Sequence, residues 1–272
     1  MIVDVAPLPG CVSEAARKIV VMVDLLRAST TITTLLEVGV DEIIVAANPE
    51  DAFAIAGPDR ERYVICGEVG GRTPPGFDHG NSPTELSSVD LKGRKVILTT
   101  SNGARALAAV ADARLVLVAA GRNATAVASE ALTSAERLAS DLSVVCAGDD
   151  HCTLLSLEDF FLAGYLVELM LRQRTFVWPV DESNPYSGDP TRWILDESAL
   201  AALRLYRSYL PPGQHVDPSP ETVLATFNEA RNGHTLPRLG FSADLEFCAR
   251  VNCSTVVPRL SHRDGRVVVA ES

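Results

Sequence analysis

Short runs of aliphatic and β-branched residues recur along the first 150 positions, at Lys18–Asp24, Glu42–Ala46, Arg62–Cys66, Lys95–Thr100, Arg114–Val118 and Leu142–Cys146. Between several of them lie alanine-rich stretches with amphipathic spacing: Thr30–Val38, Pro49–Ile55, Gly103–Val110 and Asn123–Leu138. A strand followed by an amphipathic helix, repeated, predicts βαβ units on a mainly parallel sheet. Ile19–Val23 and Leu115–Val118 are apolar at every position, the pattern of central strands covered on both faces. The expected fold class is therefore α/β, a layered, mainly parallel sheet with flanking helices.

After residue 150 the pattern lengthens. Helices are predicted over Leu155–Arg172, Glu197–Tyr209, Pro220–Ala230 and Phe241–Arg250, with a Pro-, Asn-, Gly- and Asp-rich loop at Pro179–Pro190. Short strands are expected at Ser254–Pro258 and Arg266–Ala270. This divides the chain into a layered α/β domain over residues 1–150 and a helix-rich second half over residues 151–272. The second half could form another lobe packed on the first.

Composition narrows the function. The chain has 272 residues, 47% of them apolar, which is ample material for a core. A net charge of -11 opposes binding to DNA or RNA by counterion release, so nucleic acid is not an expected partner. No apolar run approaches the roughly 20 residues a bilayer span needs, and Met1–Pro9 lacks the layout of a secretory signal. A cytoplasmic protein with no membrane partner is expected, and a homodimer is compatible with an acidic α/β chain of this size. Six cysteines without a C-x-x-C pair read as reduced thiols, and zinc is not indicated.

Ligands of open parallel sheets bind outside the carboxyl ends of the strands, so the polar residues that follow each strand are the candidates for chemistry. In Asp24-Leu25-Leu26-Arg27-Ala28-Ser29-Thr30-Thr31, a strand ends in a carboxylate, then a cation, then hydroxyls opening a helix. Arg27 could fork to an oxyanion, and Ser29 or Thr30 could cap the helix; an ordinary cap with a surface ion pair would leave the same pattern. The irregular stretch Gly67–Pro83 contains five glycines and three prolines, with Ser82 as the expected N-cap and Pro83 at the first helical position. Loops of this length are uncommon unless functional. Glu68, Asp78 and Asn81 offer the oxygen donors Mg²⁺ prefers, and Arg72 offers another anion contact.

Thr99-Thr100-Ser101-Asn102-Gly103 is a third strand-to-helix junction, a phosphate cradle without a lysine. Neither G-x-x-x-x-G-K-[ST] nor a G-x-G-x-x-G after a strand is present, which disfavours nucleotide binding by those modes. The fourth junction is Cys146-Ala147-Gly148-Asp149-Asp150, followed by Ser156-Leu157-Glu158-Asp159. Acidic residues in a first helical turn complement the helix dipole without any function. Carboxylates gathered at neighbouring strand ends repel unless a cation sits among them, so metal binding is the economical expectation.

Taken together, these segments resemble the 2-phosphosulfolactate phosphatases. The match runs through Asp24-Leu-Leu-Arg27-Ala-Ser29-Thr30-Thr-Ile32, Gly67-Glu68 with Gly70-Gly71, Gly76-Phe77-Asp78-His-Gly80-Asn81-Ser82-Pro83 and Thr99–Gly103. It continues in Cys146-Ala147-Gly148, Leu157-Glu158-Asp159 with Ala163-Gly164, and Gly240-Phe241-Ser-Ala-Asp244 before Val257-Pro258. The order and spacing cover nearly the whole chain, and the GFD-x-GNSP string is very specific. The resemblance implies a Mg²⁺-dependent phosphatase that hydrolyses (R)-2-phospho-3-sulfolactate, or a related phosphorylated hydroxy acid, to the hydroxy acid and phosphate, a step of coenzyme M synthesis. The chain departs from the family at Ala104, where a hydroxyl is expected, and at Asn252, where an aspartate is expected.

On this reading Asp24, Glu68 and Asp78 are the candidate catalytic groups, and Asp24, Glu68, Asp78 and Asp159 the candidate Mg²⁺ ligands, with Glu158 and Asp244 in reserve. Arg27 and Arg72 would hold phosphate and sulfonate, and Ser29, Thr30, Asn81, Ser101 and Asn102 would donate hydrogen bonds to the anions. The D-x-D signature of haloacid-dehalogenase phosphatases is missing at Asp24, since Leu26 takes its second place, which favours water over an aspartyl nucleophile. The rival reading is a non-catalytic protein that binds small anions in the same cradles.

Overall fold

The computed structural model describes residues 1–177 and 193–271; the loop expected at Pro179–Pro190 lies outside the described residues. The first half runs β1 (Ile2–Ala6), β2 (Ile19–Val23), α1 (Ala28–Glu37), β3 (Glu42–Val45), α2 (Pro49–Ala56), β4 (Tyr63–Gly67), α3 (Pro83–Leu86), β5 (Lys95–Thr99), α4 (Gly103–Ala109), β6 (Leu115–Ala119), α5 (Ala124–Leu138) and β7 (Leu142–Cys146). The second half runs α6 (Leu157–Gln173), β8 (Phe176–Val177), β9 (Trp193–Leu195), α7 (Glu197–Ser208), α8 (Pro220–Glu229), α9 (Arg231–Arg238), α10 (Ser242–Cys248), β10 (Pro258–Arg263) and β11 (Arg266–Glu271). Among the described residues no helix is long and apolar enough to cross a membrane.

One sheet takes strands from both halves, in the order β4-β5-β3-β11-β10-β6-β2-β7-β1-β9-β8. Pairing is parallel except around the β10–β11 hairpin, which is antiparallel within itself and to β6 and β3. The hairpin closes through Asp264-Gly265, both at positive φ, as a two-residue turn matched to strand twist requires. Because the hairpin reverses the ladder, β3, β5 and β4 run opposite to β6, β2 and β7 where they join it. Five ladder steps separate β2 from β5, and a twist of roughly 20–25° per step turns the strand direction by roughly 100° or more over that distance. The carboxyl ends of the two parallel sections therefore meet: a Cβ built on Gly103, just after β5, would stand 2.8 Å from Asp24 Oδ2, just after β2.

The core is layered accordingly. One face of β1, β2 and β7 packs on α5, α6 and α7 through Val21, Val144, Leu132, Leu166 and Leu203. The other face of β2 and β6 meets α1 and α4, which are shared with one face of β3, β4 and β5, through Met22, Val118, Leu35, Leu107 and Leu98. Cys146 in the first of these layers and Cys66 in the second are buried thiols; burial pushes Cys66 up to about 12 and Cys146 well above its ordinary value.

Two local expectations shift. The strand expected at Ser254–Pro258 begins only at Pro258. Upstream, Ser254 N–H donates to Arg122 O, and Ser254 Oγ accepts Val256 N–H, so these groups serve a loop rather than a ladder. Neither Ser29 nor Thr30 caps α1: Arg27 stands at the N-cap and makes no side-chain cap bond. Ser82 does cap α3, accepting Glu85 N–H at 3.2 Å with Pro83 at the first position.

Candidate active site

The segments after β2, β4, β5 and β7 converge on one cavity of about 290 Å³. Asp24, Leu26 and Arg27 line it after β2; Glu68, Gly70 and Gly71 after β4; Thr100, Ser101 and Asn102 after β5; Asp149 and Asp150 after β7. Asn81 reaches it from the long loop. The opposite wall is α9, with Arg231, Asn232, Thr235 and Leu236, and then Leu239.

Asp24 sits at the crossing of these segments. Its Oδ1 accepts Ala28 N–H at 3.1 Å, so the carboxylate itself takes the place of an N-cap for α1. Its own N–H donates to Ser29 Oγ at 2.7 Å. Burial pushes the Asp24 carboxyl up to about 7; the charges of Glu68 and Glu158 push the same way, while Ala28 N–H and Arg27 oppose them. Close backbone approach makes the position possible, because Gly103 leaves room where a Cβ would stand 2.4 Å from Ala28 Cβ and 2.8 Å from Asp24 Oδ2.

Glu68 is tied to two loops at once. Its Oε1 accepts Ser101 N–H at 2.6 Å, and its Oε2 accepts Gly71 N–H at 2.6 Å and Ser101 Oγ–H at 3.1 Å. It contributes charge to the cavity while locking the β4 and β5 loops together. Asp159 lies behind the cavity wall rather than in it. It accepts Leu25 N–H at 2.8 Å and Gly148 N–H at 3.2 Å, joining the ends of β2 and β7. Burial, with Asp24 and Glu158 nearby, holds Asp159 well above the usual carboxylate range, and burial also raises Glu158, which accepts Asn232 Nδ2–H at 3.2 Å.

Arg27 is the fixed cation of the site. It is 4% exposed, donates from Nη1 to Asp244 Oδ2 at 2.8 Å, and lies 4.5 Å from the centre of the Phe241 ring. Asp244 is held in turn by Ser82 Oγ–H at 2.7 Å and Thr84 N–H at 3.3 Å. Asp244, a reserve metal ligand in the sequence reading, is thus spoken for by Arg27 and the start of α3.

The structure does not bring every predicted residue to the cavity. Asp78 is exposed, and its Oδ2 accepts from Arg60 Nη2 and Ile65 N–H, both at 2.7 Å, so it staples its loop to the β4 side. Arg72 is exposed in the tight turn that begins at Val69, and it does not line the cavity. Ser29 and Thr30 are fully buried and face backbone: Ser29 accepts Asp24 N–H, and Thr30 donates to Leu25 O at 3.0 Å. Ser101 and Asn102 do line the cavity, as does Asn81.

The wall formed by α9 escapes the sequence reading altogether. Its one signal is Gly233, where a Cβ would stand 1.8 Å from Phe227 O; only glycine lets α9 pass this close to α8.

The donor set can be tested against a divalent cation. Among the described residues no group of three or more His, Cys, Asp or Glu is arranged to hold a metal. Mg²⁺ does not require one, since it keeps several waters and is usually bound by one or two carboxylates plus substrate phosphate. The cavity lining includes such donors: the Asp24 carboxylate, desolvated among other acids, and Asn81, whose buried Oδ1 has no hydrogen-bond partner. An orphaned buried oxygen carries a desolvation cost that a cation or ordered water would relieve. The residues fit a hard cation.

Comparison with known proteins agrees with the motifs. The sequence profile described as 2-phosphosulpholactate phosphatase matches residues 9–263. A probable 2-phosphosulfolactate phosphatase of Deinococcus radiodurans is 35% identical over 245 residues, 89% of this chain and 87% of the relative. Proteins of the same description from Symbiobacterium thermophilum and Carboxydothermus hydrogenoformans are 34% and 33% identical, covering 95% and 100% of this chain and 97% and 98% of their own lengths. The chain belongs to the 2-phosphosulpholactate phosphatase family.

Proposed function

We propose that this protein is a Mg²⁺-dependent phosphoric monoester hydrolase acting on 2-phosphosulfolactate or a closely related phosphorylated hydroxy acid, in a pathway of the coenzyme M type. The observation that carries the reading is the pairing, in one cavity, of a fixed buried guanidinium at Arg27 with a desolvated carboxylate at Asp24 and an unpartnered oxygen at Asn81. A site for anions alone would gain nothing from Asp24 and Glu68, so a non-catalytic anion binder accounts for the cavity less well.

Asp24 and Asn81 would hold Mg²⁺. Bound there, the ion supplies charge neutralisation at the phosphate oxygens. Phosphoryl transfer asks little covalent chemistry of a protein; positioning and electrostatic stabilisation do most of it. Arg27 donates to the phosphate from a position fixed by Asp244 and Phe241, so little reorganisation is needed as charge develops. Glu68 keeps the Gly70-Gly71 turn and the Ser101-Asn102 segment at a fixed separation, which sets the width of the cradle. The nucleophile in this account is water, since the second carboxylate of a D-x-D pair is replaced by Leu26.

The test is phosphate release from 2-phosphosulfolactate and a panel of phosphorylated hydroxy acids, with Mg²⁺ and with EDTA. Release that requires the cation supports the proposal. Ligand binding without release from any compound would favour the anion binder.

A further inference from the structure

The cavity contains two guanidiniums in different mechanical states. Arg27 is buried and clamped. Arg231, at the first position of α9, has a side chain 65% exposed, and its Nε lies 3.5 Å from Asp149 Oδ2, longer than a charge-assisted hydrogen bond. Its two terminal nitrogens make no hydrogen bond to the described residues. The root of the side chain is nonetheless fixed, because Gly233 packs α9 against Phe227 of α8 and Leu236 is buried.

Resting on the functional reading above, we propose that Arg231 is the specificity-determining residue of the site: it receives the substrate's second anion, a carboxylate or sulfonate, while Arg27 receives the phosphate. Charge argues for it first. Asp24, Glu68, Asp149 and Asp150 all line the cavity, so a substrate with an anion beyond its phosphate is repelled unless a second cation faces it. Mechanics argues for it next. A rigid donor suits the group on which charge develops, and an adjustable fork suits a non-reacting group that must be oriented. Binding exchanges the long contact with Asp149 for a two-pronged one with an oxyanion.

The neighbouring space points the same way. Asp149, Arg231 and Asn232 also border a second cavity of about 200 Å³, whose walls include Glu158 and Glu229. Among the described residues, Arg231 is the one guanidinium in the lining of that cavity, whereas Arg27 adds a second to the first, and Asn232 Nδ2–H is already given to Glu158. The second anion therefore stays on the Arg27 side of Arg231.

The experiment compares wild type, R231Q and R231K on 2-phosphosulfolactate and on p-nitrophenyl phosphate, a monoester without the second anion, with sulfolactate and inorganic phosphate as competing inhibitors. For R231Q, kcat/KM on 2-phosphosulfolactate should fall about tenfold more than on p-nitrophenyl phosphate, mainly through KM, the loss expected for one charged hydrogen-bonding contact. Inhibition by sulfolactate should weaken by a similar factor relative to inhibition by phosphate, and R231K should recover part of both effects. Equal losses on both substrates with unchanged relative inhibition would overturn the assignment of Arg231 alone. A wild-type protein that releases no phosphate from either compound would overturn the functional reading, and this inference with it.

Discussion

Arg27 and Asp244, 217 positions apart in the chain, form a buried ion pair of 2.8 Å between the β2–α1 junction and α10. The pair ties the second half of the chain to the site, since the buried one of its two cavity-lining guanidiniums is held by a residue that does not line the cavity. Breaking a buried pair by removing one partner costs roughly 3–5 kcal/mol, because the remaining charge stays desolvated. Asp244→Asn, which keeps the shape but not the charge, is expected at the lower end of that range. Its melting temperature should fall by roughly 5–10 °C, and kcat/KM should drop at a temperature where both proteins are folded. Thermal unfolding alongside kinetics checks both.

Asp24 gives stability a pH dependence of unusual sign. Its carboxyl titrates at about 7 in the folded protein against an ordinary 3.8, so the folded state holds the proton more tightly than the unfolded state. Raising the pH from about 4 to about 7 then removes stability, on the order of a few kcal/mol, and the loss is complete above that window. Asp159 and Glu158, also raised, act in the same direction. Melting curves without divalent ions should show wild type losing ground to Asp24→Asn across this window. Mg²⁺ should raise the wild-type melting temperature more at pH 8 than at pH 5, since proton and cation compete for one carboxylate.

Gly103→Ala tests the close approach of β5 to β2. Alanine would ordinarily favour a helix start, but its Cβ would fall 2.4 Å from Ala28 Cβ and 2.8 Å from Asp24 Oδ2. Overpacking of this kind costs about 1–3 kcal/mol, and the displaced carboxylate should lower turnover even where the protein remains folded. Kinetics with circular dichroism on the variant would show whether both losses occur.

Much of this architecture is legible in the chain. Apolar runs such as Ile19–Val23 mark central strands because burial on both faces leaves no polar position to interrupt them, and Ser82-Pro83 marks a helix start because cap and first-turn chemistry are local. The hydroxyls Ser29 and Thr30 mislead, since nothing local tells a hydroxyl that faces a ligand from one that satisfies its own backbone. The strand β1 and the wall at Arg231 are set by packing between distant segments, and Gly233 is the one local trace of the latter. Asp264-Gly265 does carry a hairpin signal, which the upstream apolar residues Val256 and Val257 obscure by suggesting that the strand begins earlier.

Asp78 separates motif membership from cavity membership. Its contacts with Arg60 and Ile65 N–H are structural, so Asp78→Ala should cost about 1 kcal/mol of stability and leave turnover close to wild type at a temperature where both are folded. A loss of activity as deep as that of Asp24→Asn, with stability intact, would return Asp78 to the chemistry.

The most direct measurement is phosphate release from 2-phosphosulfolactate by wild type and Asp24→Asn, each with Mg²⁺ and with EDTA, with the fold of both proteins checked by thermal unfolding. The expected result is release by wild type with Mg²⁺, none with EDTA, and none by folded Asp24→Asn in either condition. Wild-type rates from Asp24→Asn, or from wild type in EDTA, would contradict it.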